Sequence, residues 1–390
     1  MRTPAHFDLL ILGGGCAGLS LAMRLAESGY PGRVAIIEPR SVYVDDRSWC
    51  FWAPDQHPLA ALVSRRWSRW RGSRWNRDVI ERSAPGLSYQ YVNSLDFYQH
   101  ALEAIRGTDN IELKLDQKVV DVTREKDLFH IQTADSKLQA RWVVDTRPPA
   151  PARLSESVLH QCFAGRVVSL APESPGRFEP DAVELMTDMR RDEHGLQFSY
   201  VLPFARDRAL VEVTRFCPAP VGARQLGAEL DQLLARRGWK VGAVEREESA
   251  VLPMGLPQPD SEPMPGMVRA GTGGGALRPA SGYGFQRIQR WAGACSQRLG
   301  AGFGPLAQPP DSTRQRFMDG LFLQVLRDQP ERAPELFGRM FERVPGPVFV
   351  RFMSDRAGWS DSLRIISSLP WRPFLQTLGR RGRPGPARLA

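Results

Sequence analysis

Gly13, Gly15 and Gly18 stand at G-x-G-x-x-G spacing, and Glu38 follows twenty residues after the last of them. That pattern suits one piece of chemistry, the cradling of a dinucleotide. Gly13 permits a tight turn, Gly15 lets the backbone approach a pyrophosphate, and Gly18 lets a helix pack on a strand. A helix opening at this turn offers unpaired N–H groups and a partial positive charge to the phosphates. Glu38 is placed to accept hydrogen bonds from ribose hydroxyls. The glycine spacing alone proves little in a chain with 35 glycines, so the flanking elements carry the case. Residues 7–12 read as a short apolar strand, residues up to 28 as an amphipathic helix, and residues 33–37 as a second apolar strand ending at the carboxylate. Cys16 lies inside the turn, where a small side chain suffices, and is not read as a nucleophile.

A second glycine cluster comes late: Gly271-Thr272-Gly273-Gly274-Gly275, then Ser281-Gly282-Tyr283-Gly284-Phe285. A strand precedes it and a helix over 284–299 follows, so the chain is expected to return to the cofactor after building something else. Between the two clusters, 95–105 reads as a helix of the nucleotide domain. Segments 111–122 and 128–133 suggest a small antiparallel sheet. Residues 141–147 read as a buried strand rejoining the main sheet, broken by Pro148 and Pro149. Residues 155–260 change texture. Strand-like runs over 158–163, 197–202 and 208–215, with one helix over 222–237, point to an antiparallel sheet. From 311 to 378 apolar residues recur at helical spacing, as in Phe317, Leu321 and Val325. The expected organisation is a discontinuous nucleotide domain (1–150 and 265–305), a β-rich substrate region (151–264), a helical part (306–378) and a disordered tail (379–390).

One acidic residue stands out in the second region. Glu212 lies in the apolar stretch 209–216 and, by strand alternation, shares a face with Leu210 and Thr214. Two readings stand on the residues alone: a glutamate on a solvated face, or a carboxyl held inside an apolar pocket.

Composition narrows the classes. A chain of 390 residues suggests two or three domains, and 42% hydrophobic with 24% charged residues is ordinary for a globular protein. No apolar run approaches the roughly 18 residues needed to span a bilayer. The N-terminus lacks the basic start and cleavage site of a signal peptide, so a cytoplasmic protein is expected. Five scattered cysteines show no Cys/His spacing for zinc, and reduced thiols are the simpler reading. The net charge of +9 draws on Arg65, Arg66, Arg69, Arg71, Arg74 and Arg77, interleaved with Trp67, Trp70 and Trp75, and on Arg380, Arg381, Arg383 and Arg388. No nucleic-acid-binding signature accompanies it. The Arg/Trp segment suits either an anionic membrane surface or a solvated basic loop.

Several motifs in order carry a resemblance. Val44-Asp45-Asp46-Arg47-Ser48-Trp49-Cys50-Phe51-Trp52 resembles D-D-R-T-W-C-F-W with Ser48 in place of threonine, and Thr187-Asp188-Met189-Arg190 is similar to M-D-F-R. Phe198-Ser199-Tyr200-Val201-Leu202-Pro203 is similar to F-x-Y-x-L-P, Leu210-Val211-Glu212-Val213-Thr214 to L-x-E-x-T, and Pro253-Met254-Gly255 to the end of I-P-M-G. The late glycine cluster resembles G-x-x-G-G…P-x-T-G-Y-G-F, and Arg351-Phe352-Met353-Ser354-Asp355 and Ser368-Leu369-Pro370-Trp371 resemble closing motifs. Together they resemble the bacterial flavin-dependent lycopene β-cyclase family over almost the whole chain. Thr272 stands where many related flavoproteins carry an acidic residue, which suits cyclases better than hydroxylases.

The resemblance implies an α/β fold: a Rossmann-like FAD-binding domain with an inserted antiparallel β-sheet and a helical C-terminal part. It implies closure of the ψ-ends of lycopene to β-rings, through γ-carotene to β-carotene, with reduced FAD and with NADPH as reductant. The implied steps are protonation at C2, attack of the 5,6-double bond on the C1 cation, and loss of a proton from C6. Protonating an alkene needs a positioned acid in a dry pocket, where desolvation keeps a carboxyl protonated. Glu212 matches the family position for that acid, while Asp188 either assists proton movement or hydrogen-bonds a turn. Cofactor contacts fall to Gly13, Gly15, Cys16, Ala17, Gly18, Glu38, Arg47, Gly271, Gly273 and Gly282. Asp45 and Asp46 are either cofactor contacts or loop residues. Trp49, Phe51, Trp52 and Tyr283 are either cation-facing aromatics or ordinary core. Peripheral attachment to the inner face of the membrane is expected. A flavin monooxygenase or dehydrogenase acting on another polyisoprenoid, and a flavin-binding carotenoid carrier at the membrane, are the competing readings. The number of ends cyclised and the oligomeric state stay open.

Overall fold

Ala5–Leu12 lies in the middle of a parallel sheet, and its alternate residues feed two different cores. Leu9 and Ile11 pack under Cys16–Glu27, Ser94–Arg106 and Phe285–Gly300, whereas Leu10 and Leu12 face Phe129, Ile131 and Met267. Burial on both faces explains why the strand reads as a continuous apolar run. The protein is described here from a computed structural model covering residues 5–73, 79–257 and 263–381.

The parallel strands run in the order Ile111–Lys114, Val34–Ile37, Ala5–Leu12, Lys137–Asp145, Met267–Arg269. The late strand thus returns beside the early ones, as the second glycine cluster requires. Residues 111–114 belong to this parallel sheet and not to a separate antiparallel one. The antiparallel meander is formed by Val119–Glu125 and Leu128–Thr133, and it branches from the first half of Lys137–Asp145. Asn93 caps the helix Ser94–Arg106, its side-chain oxygen accepting the Asp96 N–H at 2.8 Å.

A second sheet of seven strands holds the candidate acid. Its order is Val241–Met254, Leu159–Leu170, Arg208–Cys217, Gly195–Pro203, Ala182–Asp192, Arg69–Ser73, Val79–Ser83, antiparallel throughout except where Ala182–Asp192 meets Arg69–Ser73. Two of these strands come from residues 69–83, so the sheet does not respect a boundary at 150. A three-stranded sheet of Ser48–Ala53, Ser88–Asn93 and Arg65–Trp67 bridges the two halves. Ala223–Arg236 covers one face of the large sheet through Leu230, Leu233 and Leu234 on Val211 and Val213.

The other face meets the C-terminal helices Thr313–Asp328, Ala333–Arg343, Gly346–Met353, Trp359–Ser368 and Trp371–Arg381. Leu210 and Phe216 of Arg208–Cys217 point this way, together with Phe198 and Leu185, against Leu336, Phe337 and Met340. The last helix extends into the segment expected to be disordered, and residues 382–390 lie outside the described residues.

The described part of the Arg/Trp segment turns its tryptophans into the core. Trp67 and Trp70 are 1% and 0% exposed. Trp67 donates its ring N–H to the Pro203 carbonyl at 3.0 Å, and Trp70 packs on Trp52 and Phe349. Arg69 and Arg71 are taken up by Glu81, at 2.9 and 2.8 Å. Arginines beside tryptophans here reflect strand alternation, with rings inward and guanidinium groups outward in ion pairs. Arg74, Trp75 and Arg77 lie outside the described residues.

Candidate functional site

Two cavities meet at the large sheet. The first is a cleft of about 640 Å³ that begins at Gly15, Glu38 and Arg40, passes Arg47, Thr272 and Gly282, and ends at Glu212. Its near end has the features of a dinucleotide cradle. The helix Cys16–Glu27 starts at Gly15 with no side-chain cap, leaving its first N–H groups free to meet an anion. A Cβ on Gly18 would stand 2.0 Å from the Gly13 carbonyl oxygen, so the helix packs on the turn only with glycine there. Glu38 is buried, with Oε2 accepting the Gly14 N–H at 2.6 Å and Oε1 accepting the Arg40 Nε at 2.8 Å. Those donors hold the carboxylate at the end of its strand, where it lines the cleft. Burial pushes the Cys16 thiol up to about 12, so it is no nucleophile.

The late glycine turn closes the same cradle. Gly271 sits at φ +65°, and a Cβ on it would come within 2.9 Å of the Ala17 side chain. A Cβ on Gly273 would stand 2.2 Å from the Arg147 carbonyl oxygen, so this glycine serves backbone packing beside the cleft. Gly282 lines the cleft, next to Gln161. Arg47 also lines it, exposed, with a guanidinium N–H donated to the Asp46 carbonyl at 2.6 Å. Asp45 and Asp46 both hold the loop, Asp45 accepting from the Ser94 backbone at 3.2 Å and Asp46 from the Tyr98 hydroxyl at 3.0 Å, and Asp46 also lines the cleft.

The second cavity, about 560 Å³, is lined almost entirely by apolar side chains. Trp52, Leu185, Phe216, Phe337, Met340 and Phe349 are among them, brought together where the C-terminal helices cover the sheet. Tyr200, Ser281 and Tyr283 line both cavities and so stand between them. The Tyr283 and Tyr89 hydroxyls are 3.0 Å apart. Burial raises the phenols of Tyr89, Tyr200 and Tyr283, so all three are neutral.

Glu212 stands at the inner end of the cleft. It shares its face with Leu210 and Thr214, and the Thr214 hydroxyl donates to its Oε1 at 2.5 Å. The residue is half-buried only because it faces the cleft; protein surrounds its carboxyl. Burial, and then the nearby charge of Glu248, push it up to about 8. A carboxyl in that position holds its proton at neutral pH and can deliver it into an apolar space.

The other expected residues divide. Trp52 and Tyr283 line the apolar cavity, Trp49 lines the nucleotide cleft stacked on Phe285, and Phe51 is core. Asp188 is not brought to the site. It sits at φ 51° in an irregular stretch of Ala182–Asp192, accepting from Arg237 at 2.7 Å and from Ser199 at 3.0 Å. Its role is to hold that turn. Tyr200 and Tyr89 were missed as site residues. Tyr200 sits in the F-x-Y-x-L-P strand two residues from the buried Phe198, so alternation on that strand was the available signal.

Similarity to known proteins follows the same outline. The profile of the family described as lycopene cyclase protein matches residues 8–379. The chain is 26% identical to the lycopene beta-cyclase of Pseudescherichia vulneris, covering 94% of this chain and 95% of that one. It is also 26% identical to the lycopene beta-cyclase of Pantoea ananas, over 96% and 97%. Among solved structures it is similar to a geranylgeranyl bacteriochlorophyll reductase-like protein from Thermoplasma acidophilum (TM-score 0.61, 13% identity, 97% and 100% covered). A p-nitrophenol 4-monooxygenase from Pseudomonas putida gives a TM-score of 0.58 at 15% identity, over 95% and 98%. These two likenesses concern the fold.

Proposed function

This chain belongs to the lycopene cyclase family, and we propose that it carries out lycopene β-cyclisation with Glu212 as the acid that starts each ring. One observation carries the assignment: an enclosed carboxyl, whose burial favours its protonated form, stands where the nucleotide cleft adjoins the apolar cavity. The cavity takes the hydrocarbon, and its ψ-end reaches Glu212 past Tyr200 and Tyr283, which line both cavities. Glu212 gives its proton to C2 of the end group. The 5,6-double bond supplies the electron pair that closes the ring on C1, and a proton leaves C6. One proton enters and one leaves, so the product is an isomer of the substrate. The ring face of Trp52 and the neutral phenols of Tyr89 and Tyr283 surround the charge without offering a nucleophile. Enclosure by apolar side chains excludes water, which would otherwise trap the cation.

The uncapped helix start, the close glycine packing and the buried Glu38 fit FAD. Gly13, Gly15, Cys16, Ala17, Gly18, Glu38 and Arg47 would hold it, with Gly271 and Gly273 packing the late turn beside them and Gly282 farther along the cleft. Bound FAD, kept reduced by NADPH, would supply negative charge beside the cleft. The reading is tested by incubating lycopene in liposomes with purified protein, FAD and NADPH without oxygen. Pigment of unchanged mass and new retention is expected; a product that forms only in air with added oxygen transfers the reading to a monooxygenase.

The acid must be protonated to act, so turnover falls as pH rises through about 8. Stability shifts in the same direction. Between the usual glutamate value of about 4.3 and about 8, the folded chain keeps a proton that the unfolded chain has lost, so stability declines with rising pH. Rate profiles and urea midpoints measured across this window check both. A turnover rate that stays level to pH ~9 removes Glu212 from the role.

We also assign the membrane contact to the last two helices. Among the described residues no helix is long and apolar enough to cross a bilayer. Phe317, Ile366, Trp371 and Leu375 are exposed and at the same time line the apolar cavity, so they frame its mouth; Trp371 is 65% exposed. Trp359 and Leu363 extend the patch, with Arg364, Arg372 and Arg380 exposed beside it. Tryptophan and arginine around an apolar opening suit the headgroup layer, where a hydrocarbon substrate can enter without crossing water. Trp371→Glu with Leu375→Glu is expected to abolish flotation with anionic liposomes while Trp67-side substitutions at Arg66 leave it unchanged. Undiminished flotation of the double variant overturns the assignment.

A further inference from the structure

A second carboxylate stands behind Glu212. The strand Leu159–Leu170 runs between Arg208–Cys217 and Val241–Met254, and its Gly165 is the direct partner of Glu212 on one side and of Glu248 on the other. Residues directly opposite in a sheet point to the same face. Three neighbouring strands therefore present glutamate, glycine, glutamate in one row. A Cβ at position 165 would lie 3.4 Å from the Glu212 Cβ, so glycine leaves open the slot between the two carboxyls.

Glu248 is enclosed, its side chain 2% exposed. Its Oε2 lies 3.3 Å from the Arg246 guanidinium, and its Oε1 has no hydrogen-bond partner. An unpaired buried carboxylate oxygen is costly, and little around Glu248 offsets its charge beyond Arg246. Arg246 is itself divided, 3.3 Å from Asp45 and donating to the Ser48 hydroxyl at 2.6 Å. One guanidinium thus serves Asp45 and Glu248, with Glu212 beyond them.

We propose that Glu248 is a positioning residue for the acid: across Gly165 its negative charge discourages a second charge on Glu212 and so keeps the cleft carboxyl loaded. This rests on Glu212 being the acid. Two carboxyls in one row of a low-dielectric wall cannot both ionise cheaply, so the charge of one bears on the titration of the other. The charged and titratable groups facing them are Arg246 on Glu248's own strand, Asp45, Arg47 and Cys50 from the segment before and within Ser48–Ala53, and Tyr200 and Tyr283 around Glu212. None of them is removed by changing Glu248.

Glu248→Gln keeps the shape and deletes the charge. In the full chain, the infrared band of the Glu212 carboxylic acid, identified by its loss in Glu212→Gln, is followed against pH. The pH profile of lycopene turnover is measured beside it. The Glu212 midpoint and the high-pH fall in turnover are both expected to move down by about one pH unit or more, and Glu248→Asp to move them back. An unmoved midpoint overturns the proposal, as does a turnover lowered equally at every pH, which is what a purely structural residue would give. Absence of ring closure in the unmodified protein would refute the reading of the reaction, while the infrared titration would still decide whether the pair exists.

Discussion

Glu212→Gln is expected to lower ring closure by ~10³–10⁴-fold, at the upper end of what a positioned acid contributes, with cofactor content and fold retained. The amide fills the same volume and can still accept the Thr214 hydroxyl, which donates to the carboxyl at 2.5 Å. What it cannot do is release a proton to carbon. The loss should be in kcat, because the hydrocarbon is bound by the aromatic and aliphatic wall and not by the carboxyl. The variant should be at least as stable as the parent above neutrality, since it removes a carboxyl whose ionisation opposes the fold. Glu212→Asp tests position: the carboxyl is kept but withdrawn by one methylene, and an intermediate rate is expected. Retention of more than about a tenth of the activity by Glu212→Gln would mean that the proton comes from elsewhere.

The largest effect on stability is expected at Arg278. Its side chain and that of Asp319 are both 3% exposed, and Nε and Nη2 donate to the two carboxylate oxygens at 3.1 Å each. A further N–H donates to the Phe352 carbonyl, and the guanidinium lies 4.2 Å from the Phe352 ring centre. One side chain thus ties the late glycine turn to two C-terminal helices that wall the apolar cavity. Arg278→Met leaves Asp319 as a buried unpaired charge, and a loss of about 3–5 kcal/mol follows. Changing both, Arg278→Met with Asp319→Leu, removes the stranded charge and should recover most of that loss. Urea midpoints of the single and double variants decide it. A single variant within about 1 kcal/mol of the parent would show that the ion pair is not what holds the helices down.

The nucleotide cradle was legible because it is local. Its glycines, first helix and Glu38 lie within one βαβ stretch, and each has a steric or electrostatic reason that spacing exposes. The place of Glu212 on the cleft face was legible by alternation with Leu210 and Thr214 on one strand. Glu248 was not. It reaches the same wall only because a third strand places Gly165 between them, and strand order is not written in the spacing of either segment. The Arg/Trp segment misled for a related reason. Tryptophans among arginines look like an interfacial face until Ala182–Asp192 pairs with Arg69–Ser73 and buries Trp70. Asp188 carried a motif position, yet an irregular stretch of strand turns it toward Arg237. The apolar cavity exists only where helices from 313–381 meet the sheet, so no single segment announces it.

The most direct test of proton donation by Glu212 is the mass of the pigment formed from lycopene in heavy water, without oxygen, by the FAD-loaded protein. A deuteron delivered to C2 and a proton lost from C6 leave one deuterium for each ring closed, with no other change in mass, and Glu212→Gln should give no labelled product. Cyclised pigment carrying no deuterium, or full labelling in Glu212→Gln, would contradict the account.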